Sequence, residues 1–187
     1  MSYFIDPSPV YDGRRWVASE KEATIVLVGC GGTGSFLAEA ICRLLIGRDA
    51  DLYLVDMDRV EAHNVARQSF DAADVGRFKA QVLAERLARR FDRTIGYSVL
   101  PYNRQVHAQV FRPASRLNLL VGCVDNAAAR AAIAETLTAC HSDVWWLDAG
   151  NGHNAGQVLL GNALRPEALR GAFIPHLGLC RALPAPS

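Results

Sequence analysis

This chain carries no strong charge of either sign: 20 lysines and arginines stand against 19 aspartates and glutamates, leaving a formal net charge of +1. That balance lacks the basic field with which nucleic-acid binders gather phosphates, so nucleic acid is not an expected partner. Also missing is any apolar run approaching the roughly 20 residues that a membrane helix needs, so no membrane role is expected. The five cysteines, Cys30, Cys42, Cys123, Cys140 and Cys180, include no C-x-x-C pair and follow no regular spacing. Neither a structural zinc site nor a disulfide framework is expected, and the chain reads as soluble and cytoplasmic, in reducing surroundings. The opening Met1-Ser2-Tyr3-Phe4-Ile5-Asp6-Pro7 has neither the basic nor the apolar stretch of a signal peptide. No internal repeat and no low-complexity segment is present.

What the chain does have is hydrophobic bulk: 187 residues, half of them hydrophobic, bury a sizeable core in one domain. Its organising stretch runs Ile25-Val26-Leu27-Val28-Gly29-Cys30-Gly31-Gly32-Thr33-Gly34. The aliphatic run reads as a strand buried on both faces. Gly29, Gly31 and Gly34 give the G-x-G-x-x-G spacing, and Phe36, Leu37, Ala40, Ile41, Leu44 and Leu45 then recur at helical intervals. Strand, glycine turn and helix in succession form a phosphate-binding context. Gly29 permits the tight turn, Gly31 lets backbone approach a phosphate, and Gly34 lets helix pack closely on strand. The helix N-terminus then favours an anion.

Onward from Thr24, strands and helices alternate. Strands are expected at 51–56, 94–100, 117–123, 144–149 and 156–161, and helices after Gly76, over 106–111 and over 127–137. Phe78, Val82, Leu83, Leu87 and Phe91 mark the apolar face of the helix after Gly76. The pattern predicts an α/β fold: a doubly wound, Rossmann-like sheet, mostly parallel, with helices on both faces. Such a sheet binds its ligand at the carboxyl ends of the strands. Three segments follow: an N-terminal arm over 1–22, rich in aromatics and closed by Arg14 and Arg15; a nucleotide-binding domain over 23–162; and an extension over 163–187 that reads as the start of a linker or crossover segment.

The chemistry gathers after the strands. Asp56 stands where dinucleotide folds place an acidic residue against a ribose hydroxyl, which taken alone points to NAD. The polar segment behind it carries Asp58, Arg59, His63, Asn64, Arg67 and Gln68, with Lys79 shortly after. Nicotinamide chemistry has no use for that set, whereas a triphosphate needs guanidinium and ammonium groups to meet its charge. Asp125-Asn126 follows the fourth strand and offers a carboxylate to magnesium. Each residue also has a plainer role open to it. Lys79 could be a solvated helix lysine, Arg67 a partner of Asp71 or Asp74, Asp58 a turn residue and Asp125 the N-cap of the alanine-rich helix. His63, His107 and His141 read as surface or satisfied loop histidines, and His153 as loop filler facing the crevice.

These residues resemble the ThiF/MoeB/HesA family, whose nucleotide-binding fold is shared with ubiquitin-activating enzymes. Its pattern is G-x-G-G-x-G, then D-x-D-x-V-x-x-x-N-x-x-R-Q, a lysine, and a later D-N. Here Gly29 to Gly34 with Gly32, Asp56, Asp58, Val60, Asn64, Arg67-Gln68, Lys79 and Asp125-Asn126 match it in order, over roughly 24–160. Trp145-Trp146-Leu147-Asp148-Ala149-Gly150-Asn151 looks most like the ThiF proteins of the plasmid-associated PRTRC system. The resemblance implies ATP and Mg2+ as cofactors and adenylation of the C-terminal carboxylate of a ubiquitin-like or sulfur-carrier protein, releasing pyrophosphate. It implies that Asp56 holds the ribose and that the glycine-turn amides, Asn64, Arg67 and Lys79 bind the triphosphate. It gives Arg67, Lys79 and Asp125 the catalytic roles, with Asp125 at the metal, and places Asp58, Gln68 and Asn126 in the nucleotide site. It also implies a homodimer, with Arg14 or Arg15 as candidates to complete a neighbour's site. Two departures stand out: the family's paired zinc cysteines are absent, and the surroundings of Cys180 do not resemble those of the family's thioester cysteine. A nucleotide-binding scaffold without catalysis and an NAD-dependent oxidoreductase are the competing readings.

Overall fold

The computed structural model describes residues 21–111, 115–140, 144–151 and 156–162. The expectations for Arg14, Arg15, His141, His153, Cys180 and the 163–187 extension lie outside the described residues. Six strands form one sheet: β1 (Lys21–Val28), β2 (Ala50–Val55), β3 (Gly96–Ser98), β4 (Ser115–Gly122), β5 (Val144–Asn151) and β6 (Gly156–Gly161). Their order is β3-β2-β1-β4-β5-β6, all parallel except the antiparallel β6. Four helices accompany them: α1 (Gly32–Leu44), α2 (Lys79–Phe91), α3 (Arg104–Val110) and α4 (Ala127–Cys140).

Successive side chains of a strand point to opposite faces, so an all-apolar strand must find a core on each side. β1 does this: Ile25 and Leu27 join the core formed with α1 and α2, and Val26 and Val28 join the core formed with α3 and α4. The doubly wound α/β architecture is therefore the one expected. β1 pairs with β2 on one side and β4 on the other, and between β1 and β4 the strand order reverses. That switch point opens a crevice above the carboxyl ends of the two strands.

The buried face of α1 is not the whole set of apolar positions that recur at helical intervals in the sequence. Phe36 and Leu44 are exposed, whereas Gly34, Ser35, Ala38, Ile41 and Cys42 are buried. Gly34 sets the helix's rotation: a Cβ there would run into the carbonyl oxygen of Gly29, so this residue must abut the turn. Ala38, Ile41 and Leu45 follow it on the sheet side at four, three and four residues' spacing. Gly29 itself has a φ of +91°, and a Cβ on it would lie 2.7 Å from the Cys123 carbonyl oxygen, so turn and β4 end come into contact only through a glycine.

The irregular segment between β2 and α2 is braced. Two short 3-10 turns, Ala62–Asn64 and Ala72–Asp74, each carry a reciprocal capping box. Arg86 of α2 bonds the Asp74 carboxylate and, at 2.8 Å, the Ser69 carbonyl. The Ser69 amide donates to Ser35 Oγ at 3.1 Å, tying this segment to α1. Asp71 and Asp74 are therefore partners of Arg86, and the alternative that gave them to Arg67 is not the one adopted.

Candidate functional site

A cleft of about 910 Å³ lies over the switch point, a volume suited to a nucleotide-sized ligand. Its floor is the turn after β1. Gly31 is the N-cap of α1 and offers no side chain, and the first helical turn holds no acidic residue. The positive end of that helix is thus left for an outside anion. Nothing lies within 4 Å of where a Cβ on Gly31 or Gly32 would stand, so the floor is open on the cleft side. Of the four glycines named in the sequence, Gly29, Gly31 and Gly32 line the cleft, and Gly34 packs beneath it.

Asp56 follows β2. Its Oδ2 accepts the Cys30 amide at 2.6 Å and its Oδ1 the Asp58 amide at 2.8 Å, so it joins the glycine turn to the next loop. Burial pushes its carboxyl above the ordinary carboxylate range, against the pull of those two amides. The loop beyond supplies one wall. Arg67 is exposed, lines the cleft and has no ion-pair partner among the described residues. Gln68 is buried there, with Oε1 lacking a hydrogen bond among the described residues. Asn64 also lines the cleft, but its Oδ1 accepts the Glu61 amide at 3.0 Å and its Nδ2 lies 3.0 Å from His63 Nε2. His63 itself stands on the cleft rim.

Lys79 opens α2 with its backbone amide bound to the Asp58 carbonyl and its Nζ 3.2 Å from Asp58 Oδ2. The lysine is 8% exposed, so it is a wall group of the cleft and not the solvated helix lysine of the plainer reading. Asp125 and Asn126 lie opposite, where β4 runs into α4. Asn126 Oδ1 accepts the Ala129 amide at 2.8 Å, making Asn126 the helix cap and leaving Asp125 exposed. The Asn126 Nδ2 donates to Asp125 Oδ1 at 3.1 Å. The predicted residues from three strand ends and one helix start thus meet in one place.

Other features were not foreseen. His107 is buried in α3, its Nδ1 2.6 Å from the Tyr102 hydroxyl, and burial lowers its pKa. Tyr102 and Leu100, after β3, line the cleft beside Asp56. Arg130 of α4 binds Asp148 of β5, a lone carboxylate in an apolar strand. The signal for that pair was present as one arginine in an alanine helix and one aspartate in a tryptophan-rich strand, charges where apolar residues are the rule.

The profile of the ThiF family matches residues 16–168. The chain belongs to the ThiF family. Among ThiF relatives, the ubiquitin-like modifier-activating enzyme 5 of Bombyx mori is 34% identical over 145 residues, covering 72% of this chain and 35% of that protein. The Xenopus laevis protein of the same name is 32% identical over 144 residues, covering 71% of this chain and 34% of the other. The chain thus spans about a third of the length of these curated relatives. The solved structure of the E. coli tRNA N6-threonylcarbamoyladenosine dehydratase in complex with AMP superposes with a TM-score of 0.53. It is 28% identical, and the match covers 66% of this chain and 49% of that one.

The ThiF cleft fits a nucleotide on its own terms. The orphaned Gln68 Oε1 is a buried acceptor awaiting a donor, and the open glycine floor faces the charge of Lys79 and Arg67. The described residues hold no cluster of three or more His, Cys, Asp or Glu able to hold a metal unaided. Asp125 is the exposed cleft carboxylate that could hold a magnesium ion brought in with a nucleotide.

Proposed function

We propose that this chain binds ATP with Mg2+ and adenylates the C-terminal carboxylate of a ubiquitin-like or sulfur-carrier protein, releasing pyrophosphate. The observation that carries the reading is Lys79: a nearly buried ammonium in the cleft wall, paired among the described residues only with the exposed Asp58. A desolvated ammonium in a cleft wall interacts more strongly with an arriving anion than a solvated one does, which makes it a candidate binding group. A nicotinamide cofactor brings no third phosphate for Lys79 and Arg67.

In the reaction a carboxylate oxygen attacks the α-phosphorus as the α–β bridging P–O bond breaks, and pyrophosphate leaves with the electron pair. The attacking group is already ionised, so no general base is needed. The chain's work is positioning and charge compensation. Asp56 receives the ribose, the α1 N-terminus and Arg67 receive phosphate oxygens, and Lys79 meets the charge that grows on the leaving group. Magnesium supplies further charge neutralisation, and Asp125 is the carboxylate that would hold it.

The test is ATP–pyrophosphate exchange with candidate ubiquitin-fold proteins. Exchange that depends on one of them is the expected result. Tight NAD binding without ATP binding would sink the reading, and ATP binding with no exchange would leave a nucleotide-binding scaffold. A second acceptor, a carboxylate on a modified tRNA base, is favoured by the likeness to tRNA threonylcarbamoyladenosine dehydratases. Exchange stimulated by tRNA, with no protein acceptor, would select it. We place the protein in the cytoplasm as a homodimer, for which light scattering of an active sample is the check.

A further inference from the structure

Arg130 makes two bonds from one guanidinium. Its Nε donates to Asp148 Oδ2 at 3.1 Å, and its Nη2 donates to the Val124 carbonyl at 2.8 Å. Val124 is the residue before Asp125, so the second bond fixes the backbone that carries the cleft carboxylate. The first bond fixes the guanidinium. The Asp148 side chain is 1% exposed, and Arg130 is its sole hydrogen-bond partner among the described residues, because Oδ1 has none. No water screens a fully buried carboxylate, so its one hydrogen bond is stronger than the same bond at the surface.

The surroundings make room for this arrangement. A Cβ on Gly150 would stand 2.9 Å from Arg130 Nη2, so glycine there leaves the guanidinium its place. A Cβ on Gly122 would stand 3.1 Å from Asp148 Oδ1 and 3.0 Å from Trp146 Nε1, a second buried polar atom without a partner among the described residues. Asp148 faces Gly122 across the β4–β5 pairing, so the anchor sits in the sheet itself. Asp125 is thereby held at two points: its side chain by the Asn126 amide, and its backbone through Val124, Arg130 and a strand residue.

We propose that Arg130, locked by Asp148, is a positioning residue that sets Asp125 for the magnesium-bound nucleotide. The proposal rests on the ATP-binding reading above. Neither residue needs to touch the ligand. A lysine at 130 could keep its charge beside Asp148 but has no planar fork with which to reach Val124 as well.

The test is calorimetric binding of a non-hydrolysable ATP analogue across a magnesium titration. Arg130→Lys should raise the magnesium concentration at half-saturation by about tenfold, as loss of an outer-sphere partner typically does. Affinity for the metal-free analogue should stay within about twofold of wild type, since the glycine floor and Lys79 are untouched. In an Asp125→Ala background, Arg130→Lys should add nothing further. Should Arg130→Lys fail to fold, the double change Arg130→Met with Asp148→Leu removes both charges together and is expected to fold and show the same loss. Unchanged magnesium half-saturation in these variants, or a loss that persists in Asp125→Ala, would overturn the proposal alone. A wild-type chain that binds no ATP analogue would overturn the ATP-binding reading and this proposal with it.

Discussion

At the scale of single residues the cleft separates groups proposed to touch ligand from groups that hold shape. Lys79→Met keeps the stem that packs in the wall and removes the ammonium. It should lower pyrophosphate exchange by about 10²-fold or more, with little change in melting temperature because the partner Asp58 is exposed. Asp125→Ala should abolish magnesium-dependent exchange and leave stability nearly intact, since the residue is exposed and does not cap α4. Asn126→Ala should cost about 1 kcal/mol of stability through the lost cap, and should lower exchange only partly, through the bond it gives Asp125. Measuring exchange and thermal melting on the same samples separates the two. The places of these residues were legible to different degrees. Asp56, Lys79 and Asp125 stood out because each follows a strand or opens a helix, and strand ends converge in a doubly wound sheet, whereas Arg67 stood out only as a cation in the polar loop between β2 and α2. The identity of the α4 cap was not legible, because two adjacent residues could serve and only the backbone path decides. Nor was the Arg130–Asp148 bond, which joins residues in separate elements whose side chains meet only after packing.

At the scale of elements, the order and type of strands and helices could be read from the run of aliphatic residues, and the face of α1 could not. Apolar residues nearly surround that helix, so periodicity offered several faces, and the steric demand of Gly34 against Gly29 chose one. The segment from Met57 to Val75 read as irregular, yet its two capping boxes and Arg86 fix it beside the glycine turn. Arg86→Met leaves the buried Asp74 with only the Asp71 amide, which should cost about 1–2 kcal/mol. The loss should be local: hydrogen exchange should quicken over 61–75 and remain slow in β1 and β4. Uniformly faster exchange would mean that Arg86 supports the whole core.

At the scale of the whole molecule, burial governs the thiols of Cys30, Cys42 and Cys123 and the imidazole of His107. Cys42 and Cys123 are pushed up to about 11 by burial, and Cys30 is raised well above its ordinary value for the same reason. None of these three should react with a thiol reagent at pH 8 in the folded state or carry a thioester to an acceptor. A reducible adduct that survives Cys180→Ala and is lost on changing one of them would refute this. His107 has the opposite sign of response. Burial depresses its pKa, so the unfolded chain binds its proton more readily. Its contribution to stability is complete above the unfolded value near 6.5 and is lost as pH falls from there toward the lower folded value. Melting temperature should drop between pH 7.5 and 5.5. His107→Gln, which can still hydrogen-bond the Tyr102 hydroxyl but does not titrate, should flatten that slope.

The β1–β4 seam has a consequence for how the chain comes to be folded. Ile25 pairs with Leu52 on one side and with Leu119 on the other, so the two halves of the sheet close over very different lengths of chain. The β1–β2–β3 half can assemble from nearby sequence, whereas joining β4 to β1 closes a long loop and carries its entropy. Because the glycine turn is on one half and Asp125 on the other, the cleft is complete only when that late pairing has formed. In refolding experiments, competence to bind nucleotide should trail the recovery of β2 amide protection and coincide with that of β4.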